Sequence, residues 1–389
     1  MQTNLIDSTS SEWMKPDGLT ICIDGRMLND GGSGTGVGQY ARTLIAALKV
    51  VGIRPLILED GGPSQHRSRP AKILRAMRPW DRTAVANDQG FYVRDVFREA
   101  QVFFNVHKRP MSIVVPGRPG IMHWSYPLPL RLKGWRNLYT VHDVMPLDPA
   151  IPSPVNGPRL RAILDALRNA GSSFVTVSET ARSQIVAKMG WSADMVKACH
   201  QAADVASVQL DLLPHNLARS DYLLYVGAVE ARKNLLRLLD AYQASGITTP
   251  LVISGPDGLD AATIDARIKM TPGAIRLGLQ PRDRVIQLIS GARALILISL
   301  AEGFGLPVVE AMALGTPVLS ADGPALAEVG GGATLLVDPL DKVALQNGLI
   351  AISNDSVLRD RLSKLGTNRA KYFALEPYAQ RLIKLYGIA

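Results

Sequence analysis

Residues 302–320 read EGFGLPVVEAMALGTPVLS, and this stretch decides the fold. Just before it, ALILIS at 294–299 is a short aliphatic and β-branched run, the pattern of a buried strand. Gly303 and Gly305 then make a loop with little side-chain bulk. Pro307 suits the first position of a helix, where its missing N–H would have had no partner. Residues 308–314 continue that helix, Gly315 is placed to end it, and 316–320 read as the next strand. In a parallel sheet such a glycine loop lies outside the carboxyl end of a strand, where α/β proteins bind ligands. The unpaired N–H groups at a helix start attract anions. Glu302 stands in the loop and Glu310 in the first turn of the predicted helix, with seven residues between them. Two carboxylates beside an anion site fit a ligand that carries hydroxyls as well as phosphate, as a sugar nucleotide does.

The string E-G-F-G-L-P-V-V-E-A-M-A-L-G-T-P-V also resembles the double-glutamate signature of the retaining glycosyltransferases of family 4. That resemblance implies the α/β GT-B fold, with two doubly wound Rossmann-like domains facing each other across a cleft. It implies donor contacts from Glu302, Gly303, Phe304, Gly305, Leu306 and Glu310, with Glu310 on the ribose hydroxyls and Glu302 on the sugar. A second string, G-A-V-E-A-R-K-N from Gly227 to Asn234, resembles the phosphate-binding motif of the same family. Physical chemistry supports that reading. Arg232 and Lys233 follow a predicted strand at 222–226 and precede a helix whose apolar face is Leu235, Leu238, Leu239 and Tyr242. Cations at a helix N-terminus oppose the helix dipole unless an anion lies between them. Asn234 is the expected cap. Gly227, Arg232 and Lys233 are therefore donor-binding candidates, and the two cations are candidates for stabilising a departing diphosphate.

Length and charge set bounds. With 389 residues the chain has room for two or three domains of roughly 150 residues. Residues 1–205 carry 25 Lys and Arg against 17 Asp and Glu, and the remainder 18 against 17, so the net charge of +9 sits mostly in the first half. Basic surfaces suit nucleic acid, anionic membrane or phosphorylated substrates. The basic residues form no recognisable nucleic-acid motif. Cys22 and Cys199 give neither a metal spacing nor a disulfide framework. No Asp-x-Asp occurs, so no metal is expected, and no cofactor beyond the donor. The first residues lack a leader pattern and no apolar run reaches about 18 residues. A cytoplasmic location is expected, at the inner face of the plasma membrane if the basic half rests on lipid.

In the first half, LTICID at 19–24 reads as a strand, followed by the glycine-rich GGSGTGVGQY at 31–40 and a helix over 37–48. Gly36-x-Gly38-x-x-Ala41 matches a loose dinucleotide fingerprint, and Glu59 and Asp60 follow a strand at 55–58 about 20 residues on. An NAD(P)-dependent oxidoreductase is therefore one competing class, and a non-catalytic sugar-nucleotide-binding protein another. The loop from Asp24 to Gly36 is too long for the tight turn that fingerprint requires. The family resemblance instead turns this loop to the cleft, with Gly34, Thr35 and Gly36 near donor phosphate or acceptor.

Residues 65–82, QHRSRPAKILRAMRPWDR, are basic and partly amphipathic, with Lys72, Arg75 and Arg78 at three-residue spacing and Trp80 after them. They are candidates for contact with anionic lipid or the acceptor, and LPLRLKGWRNLY at 128–139 is a second such stretch. His142-Asp143 follows a predicted strand at 137–141, and HDVMPL resembles a family-4 motif whose histidine lies beside the donor sugar. Five prolines between Pro146 and Pro158 make a stiff loop suited to shaping an acceptor site. The catalytic set is thus His142, Arg232, Lys233 and Glu302. The combination of HDVMPL and EGFGLP is similar to bacterial mannosyl- and related hexosyltransferases. It implies GDP-mannose as donor, with a UDP-hexose as the alternative, and a saccharide or polyprenyl-diphosphate-linked acceptor. The expected domains are 1–210 and 211–371, with 372–389 returning to the first.

Overall fold

The computed structural model describes residues 19–28, 35–61, 74–205 and 217–388. The expected boundary between 210 and 211 lies outside them, as do Gly34 and Lys72.

Each half is built around a sheet whose strand order reverses. The second-half sheet has six parallel strands, in the order Ala274–Gly278, Leu251–Ser254, Leu223–Val226, Ala294–Leu297, Val318–Ala321, Leu335–Val337. The chain starts at the centre with Leu223–Val226, builds to one edge, then crosses over and builds to the other. Both faces are covered by helices, so the four central strands are continuous apolar runs, almost all buried. The reversal falls between Leu223–Val226 and Ala294–Leu297. The loops leaving these two strands carry Arg232–Lys233 and Glu302–Gly303, so the topology alone brings the two sequence motifs together.

The first-half sheet has eight strands, in the order Val196–Ala198, Ser173–Thr176, Arg136–Thr140, Ile121–Trp124, Ile21–Asp24, Leu56–Glu59, Gly90–Tyr92, Val85–Asn87. Only Val85–Asn87 is antiparallel to its neighbour among these described strands. A small parallel sheet of Arg82–Thr83, Met111–Val114 and Leu130–Leu132 packs beside it. This corrects the reading of 128–139 as an interfacial stretch. Leu128, Leu130, Leu132 and Trp135 are buried, and Lys133 pairs with Asp81 at 2.8 Å.

The final helix, Leu375–Tyr386, lies against the helix Gly36–Val50 of the first half. Tyr378, Ala379, Leu382, Leu385 and Tyr386 are buried. Arg136 donates to the carbonyls of Tyr386 at 2.8 Å and Leu385 at 3.1 Å, satisfying the helix end. The Tyr386 hydroxyl lies 2.6 Å from Nδ1 of His123, whose Nε2 is 2.8 Å from Thr140 Oγ1 and 3.2 Å from Tyr40 Oη. Burial, then the neighbouring His142 and Arg136, push the His123 pKa down to about 3.

A folded-state pKa below the ordinary histidine value near 6.5 means that the unfolded chain takes up a proton that the fold does not. Stability should therefore fall as pH drops from about 6.5 towards 4. Melting temperature between pH 7.5 and 4.5 reads this directly. His123→Gln should flatten the decline, and an unchanged decline would contradict the assignment.

Candidate active site

Arg232 and Lys233 lie on the 3-10 turn Ala231–Lys233, in the loop after Leu223–Val226. Asn234 does not cap the next helix as expected. Its backbone is left-handed, with φ 62°, and its side chain donates to Pro339 O at 2.7 Å and Ile298 O at 3.3 Å. It is a strut tying the cation turn to neighbouring loops. From the adjacent loop, Glu302 places Oε1 2.6 Å from Lys233 Nζ and Oε2 3.6 Å from Arg232. Arg232 also meets Glu230 at 2.5 Å and donates to Ala301 O at 2.7 Å. Burial alone would raise the Glu302 pKa, but Lys233 and then Arg232 outweigh it and hold the carboxyl below its ordinary value. Glu302 is therefore ionised at neutral pH, and the cations are fixed in place.

Glu310 lies in the second turn of the helix Leu306–Ala313 rather than in the first. It is buried and sits 2.6 Å from Arg282, near the start of the helix Arg282–Gly291. Burial pushes its pKa up, with Arg282 opposing. Phe304 is also buried, its ring 5.7 Å from that of Phe373. With the ring packed in the core, the expected donor contact of Phe304 falls to its backbone N–H. Leu306 begins the helix, and Gly305 before it has φ +93°. Gly227 follows the strand Leu223–Val226 and donates to Ser254 O at 3.0 Å.

The two halves meet at Gly303. A Cβ there would lie 2.5 Å from the carbonyl oxygen of His142, so the close approach requires glycine. Ser178 donates to the Gly303 carbonyl at 2.7 Å while capping its own helix, Glu179–Met189, through Ala181 N at 3.0 Å. Glu328, from the second half, accepts from Glu179 N, Thr180 N and Thr180 Oγ1 and lies 2.6 Å from His200 Nε2.

His142 follows the strand Arg136–Thr140. Its Nε2 is 2.9 Å from the carbonyl oxygen of Ser125. A carbonyl only accepts, so Nε2 carries the proton and Nδ1 of the neutral ring is an acceptor. Burial pushes the pKa down to about 4, against the Ser125 hydrogen bond. Ser125 is itself held by buried Asp24, which accepts from its N–H at 2.5 Å and its hydroxyl at 3.1 Å. The buried Asp24 thus holds Ser125 through its N–H and hydroxyl, and the Ser125 carbonyl fixes the imidazole.

Gly36 starts its helix behind Thr35, whose hydroxyl accepts from Gly38 N at 3.1 Å. The strand ends at Asp24 and the helix starts only at Gly36, so the glycines do not follow the strand in the tight βα turn of a dinucleotide site. Arg75 forms a 3.0 Å ion pair with buried Glu99, so it serves the fold rather than a surface. Arg78 lies over the Trp80 ring at 5.3 Å, beside exposed Leu74 and Met77. Sequence reasoning missed Arg282, Ser178, Asp24 and Ser125 as parts of the site. No motif marks them, and their roles depend on which loops the strand order brings together.

Among the described residues no three His, Cys, Asp or Glu side chains form a group able to hold a metal ion. No described helix is long and apolar enough to cross a membrane.

The overall architecture is the GT-B fold. Sucrose-phosphate synthase from Thermosynechococcus elongatus superimposes with a TM-score of 0.68 at 19% identity, covering 95% of this chain and 98% of that one. Anabaena HepE in complex with UDP and glucose gives 0.67 at 14% identity, covering 96% and 100%. In sequence, the profile described as "Glycosyl transferases group 1" matches residues 215–369. The O-antigen chain mannosyltransferase B of Escherichia coli is 31% identical over 281 residues, 68% of this chain and 73% of that protein. The D-inositol 3-phosphate glycosyltransferase of Nocardia farcinica is 33% identical over 153 residues, 36% and 33% of the two chains. The chain belongs to the group 1 glycosyl transferases, and it is a glycosyltransferase.

Proposed function

We propose that the protein transfers mannose from GDP-mannose, with retention of configuration, to a saccharide on a polyprenyl-diphosphate carrier during surface polysaccharide assembly. The observation that carries this reading is the partly buried Arg232–Lys233–Glu302 cluster at the reversal of the second sheet. The mannosyl part rests on the Escherichia coli relative, named for mannosyl transfer to an O-antigen chain.

In this mechanism the donor diphosphate lies against Lys233, Arg232 and the N–H groups at the start of Leu306–Ala313. Lys233 has two N–H donors beyond the one engaged by Glu302. The ribose hydroxyls meet Glu310, a buried carboxyl held in place by Arg282 at 2.6 Å. Glu302 and the Gly303–Gly305 backbone hold the sugar hydroxyls. His142 accepts a hydrogen bond from a sugar hydroxyl at Nδ1 and acts neither as acid nor as base. The cations stabilise the negative charge that grows as the sugar–phosphate bond breaks. The acceptor hydroxyl adds from the face the diphosphate leaves, and its proton passes to a diphosphate oxygen. Glu302, engaged by two cations, is not used as a nucleophile.

Removing one charge-stabilising partner costs about 2–4 kcal/mol of transition-state stabilisation, on the scale of a lost oxyanion donor. Lys233→Ala and Glu310→Ala should each lower kcat/KM accordingly in folded protein, with the α-anomeric product seen by NMR in the wild type. Unchanged turnover in Lys233→Ala would sink the phosphate assignment.

The same proposal places exposed Leu74, Met77 and Trp80, with Arg78, against anionic lipid at the inner face of the plasma membrane. Trp80→Ala with Arg78→Ser should weaken co-sedimentation with vesicles of anionic lipid. Retained affinity would remove this segment from the contact.

A further inference from the structure

A cavity of about 220 Å³ lies between the two halves, on the first-half side of His142. Tyr126, Met145, Ile151 and Pro154 give it apolar walls, and its polar lining is His142, Asp143, Ser153, Glu230 and Arg232. We propose that this cavity takes the terminal sugar of the acceptor as a neutral pyranose, and that Asp143 orients it by accepting a hydrogen bond from its attacking hydroxyl. The proposal rests on the glycosyltransferase reading above and adds the chemical class of the acceptor residue.

Position is the first argument. A Cβ on Gly303 would come within 3.1 Å of Asp143 Cβ, so Asp143 abuts the loop that carries Glu302. Asp143 therefore stands where the donor side and the cavity meet. Its Oδ1 accepts from Met145 N at 3.1 Å. Oδ2 has no hydrogen-bond partner among the described residues. A half-buried carboxylate oxygen facing a cavity is a ready acceptor for a hydroxyl.

Charge is the second argument. Two carboxylates, Asp143 and Glu230, line the cavity, and Arg232 is the only Lys or Arg among the described lining residues. Arg232 is already committed to Glu230, Glu302 and the Ala301 carbonyl. His142 gives its one proton to Ser125. A phosphate or uronate here would face two carboxylates, and Arg232, the one cation among the described lining residues, already bridges Glu230 and Glu302, so the added like charge costs several kcal/mol when desolvated. A neutral pyranose suits the same walls, with a hydroxyl on Asp143 and its C–H face on Tyr126 and the proline loop.

Size is the third. The cavity is smaller than the ~300–1,000 Å³ of sites for drug-sized ligands, which fits one ring rather than an oligosaccharide. The rest of the acceptor chain then leaves past exposed Pro152 and Val155.

The experiment measures transfer from GDP-mannose, and in parallel UDP-glucose, to octyl hexopyranosides of the gluco, manno and galacto series. Each is matched by its 6-phosphate and its uronoside, and GDP and UDP binding is titrated separately as a readout of the donor side. At least one neutral glycoside should exceed both charged counterparts in kcat/KM by about tenfold or more, the scale of a hydrogen bond to a charged group. Asp143→Asn should lower acceptor kcat/KM by about the same factor, narrow the preference over the uronoside, and leave nucleotide affinity within about twofold. Equal or better use of a charged acceptor would overturn the proposal. So would a loss in Asp143→Asn that appears in nucleotide affinity alone. Transfer to no glycoside by a wild type that binds nucleotide would overturn this inference and leave the donor assignment standing. Absence of nucleotide binding as well would overturn both.

Discussion

The contact between Lys233 and Glu302 sets the rest of the site. It joins two loops that are far apart in sequence and adjacent in space, because the strands before them pair side by side at the reversal of the sheet. A buried ion pair is an uneasy arrangement, since each charge gives up water. Here the remaining capacity is well used. Arg232 spans Glu230, Glu302 and the Ala301 carbonyl, and Asn234 ties the turn to Pro339 and Ile298. The result is a fixed cluster of two cations and two carboxylates, with Glu302 held ionised within it. Preorganisation of this kind avoids reorientation when charge develops in the transition state.

A second constraint is the contact between halves. Gly303 touches His142 with no room for a side chain, Ser178 binds the Gly303 carbonyl, and Glu328 caps a first-half helix from the second half. Burial would raise the Glu328 pKa, but His200, Thr180 and the helix N–H groups hold it down to about 2. This carboxylate stays ionised across the neutral range, and the helix dipole adds to its hold. The return of Leu375–Tyr386 to the first half anchors the other side of the molecule through Arg136 and His123. The Glu302 loop and the His142 loop are therefore set in register by contacts on both flanks of the cleft, the kind of fixed geometry that positioning of two reactants requires.

Much of the second half was legible in its sequence because local and tertiary signals agree there. The apolar runs at 294–299 and 251–254, the proline helix start and the glycine stops are each decided within a few residues. Partners separated by tens of residues were not legible. Arg282 beside Glu310 and Asp24 beneath Ser125 depend on strand order, which no local pattern carries. Arg75 shows the opposite error. Its spacing with Lys72 and Arg78 suggests a basic face, yet the chain turns it onto Glu99. Likewise the basic-aromatic stretch 128–139 contains the strand Leu130–Leu132 with both leucines buried, because small sheets leave only short runs of alternation to read. Phe304 sits inside the motif and its ring packs against Phe373, a distant partner that the motif string does not reveal.

The central claim is that the functional centre lies at Arg232, Lys233, Glu302 and Glu310, and that a nucleoside diphosphate occupies it. A thermal-shift panel of GDP, UDP, ADP, CMP and NAD tests this most directly, because a ligand at 100 times its Kd stabilises by about 2.7 kcal/mol, a shift of several degrees. The account predicts a selective rise with GDP. A rise with UDP alone would keep the site and replace the donor. A rise with NAD alone would move the centre to the first glycine loop and contradict the account.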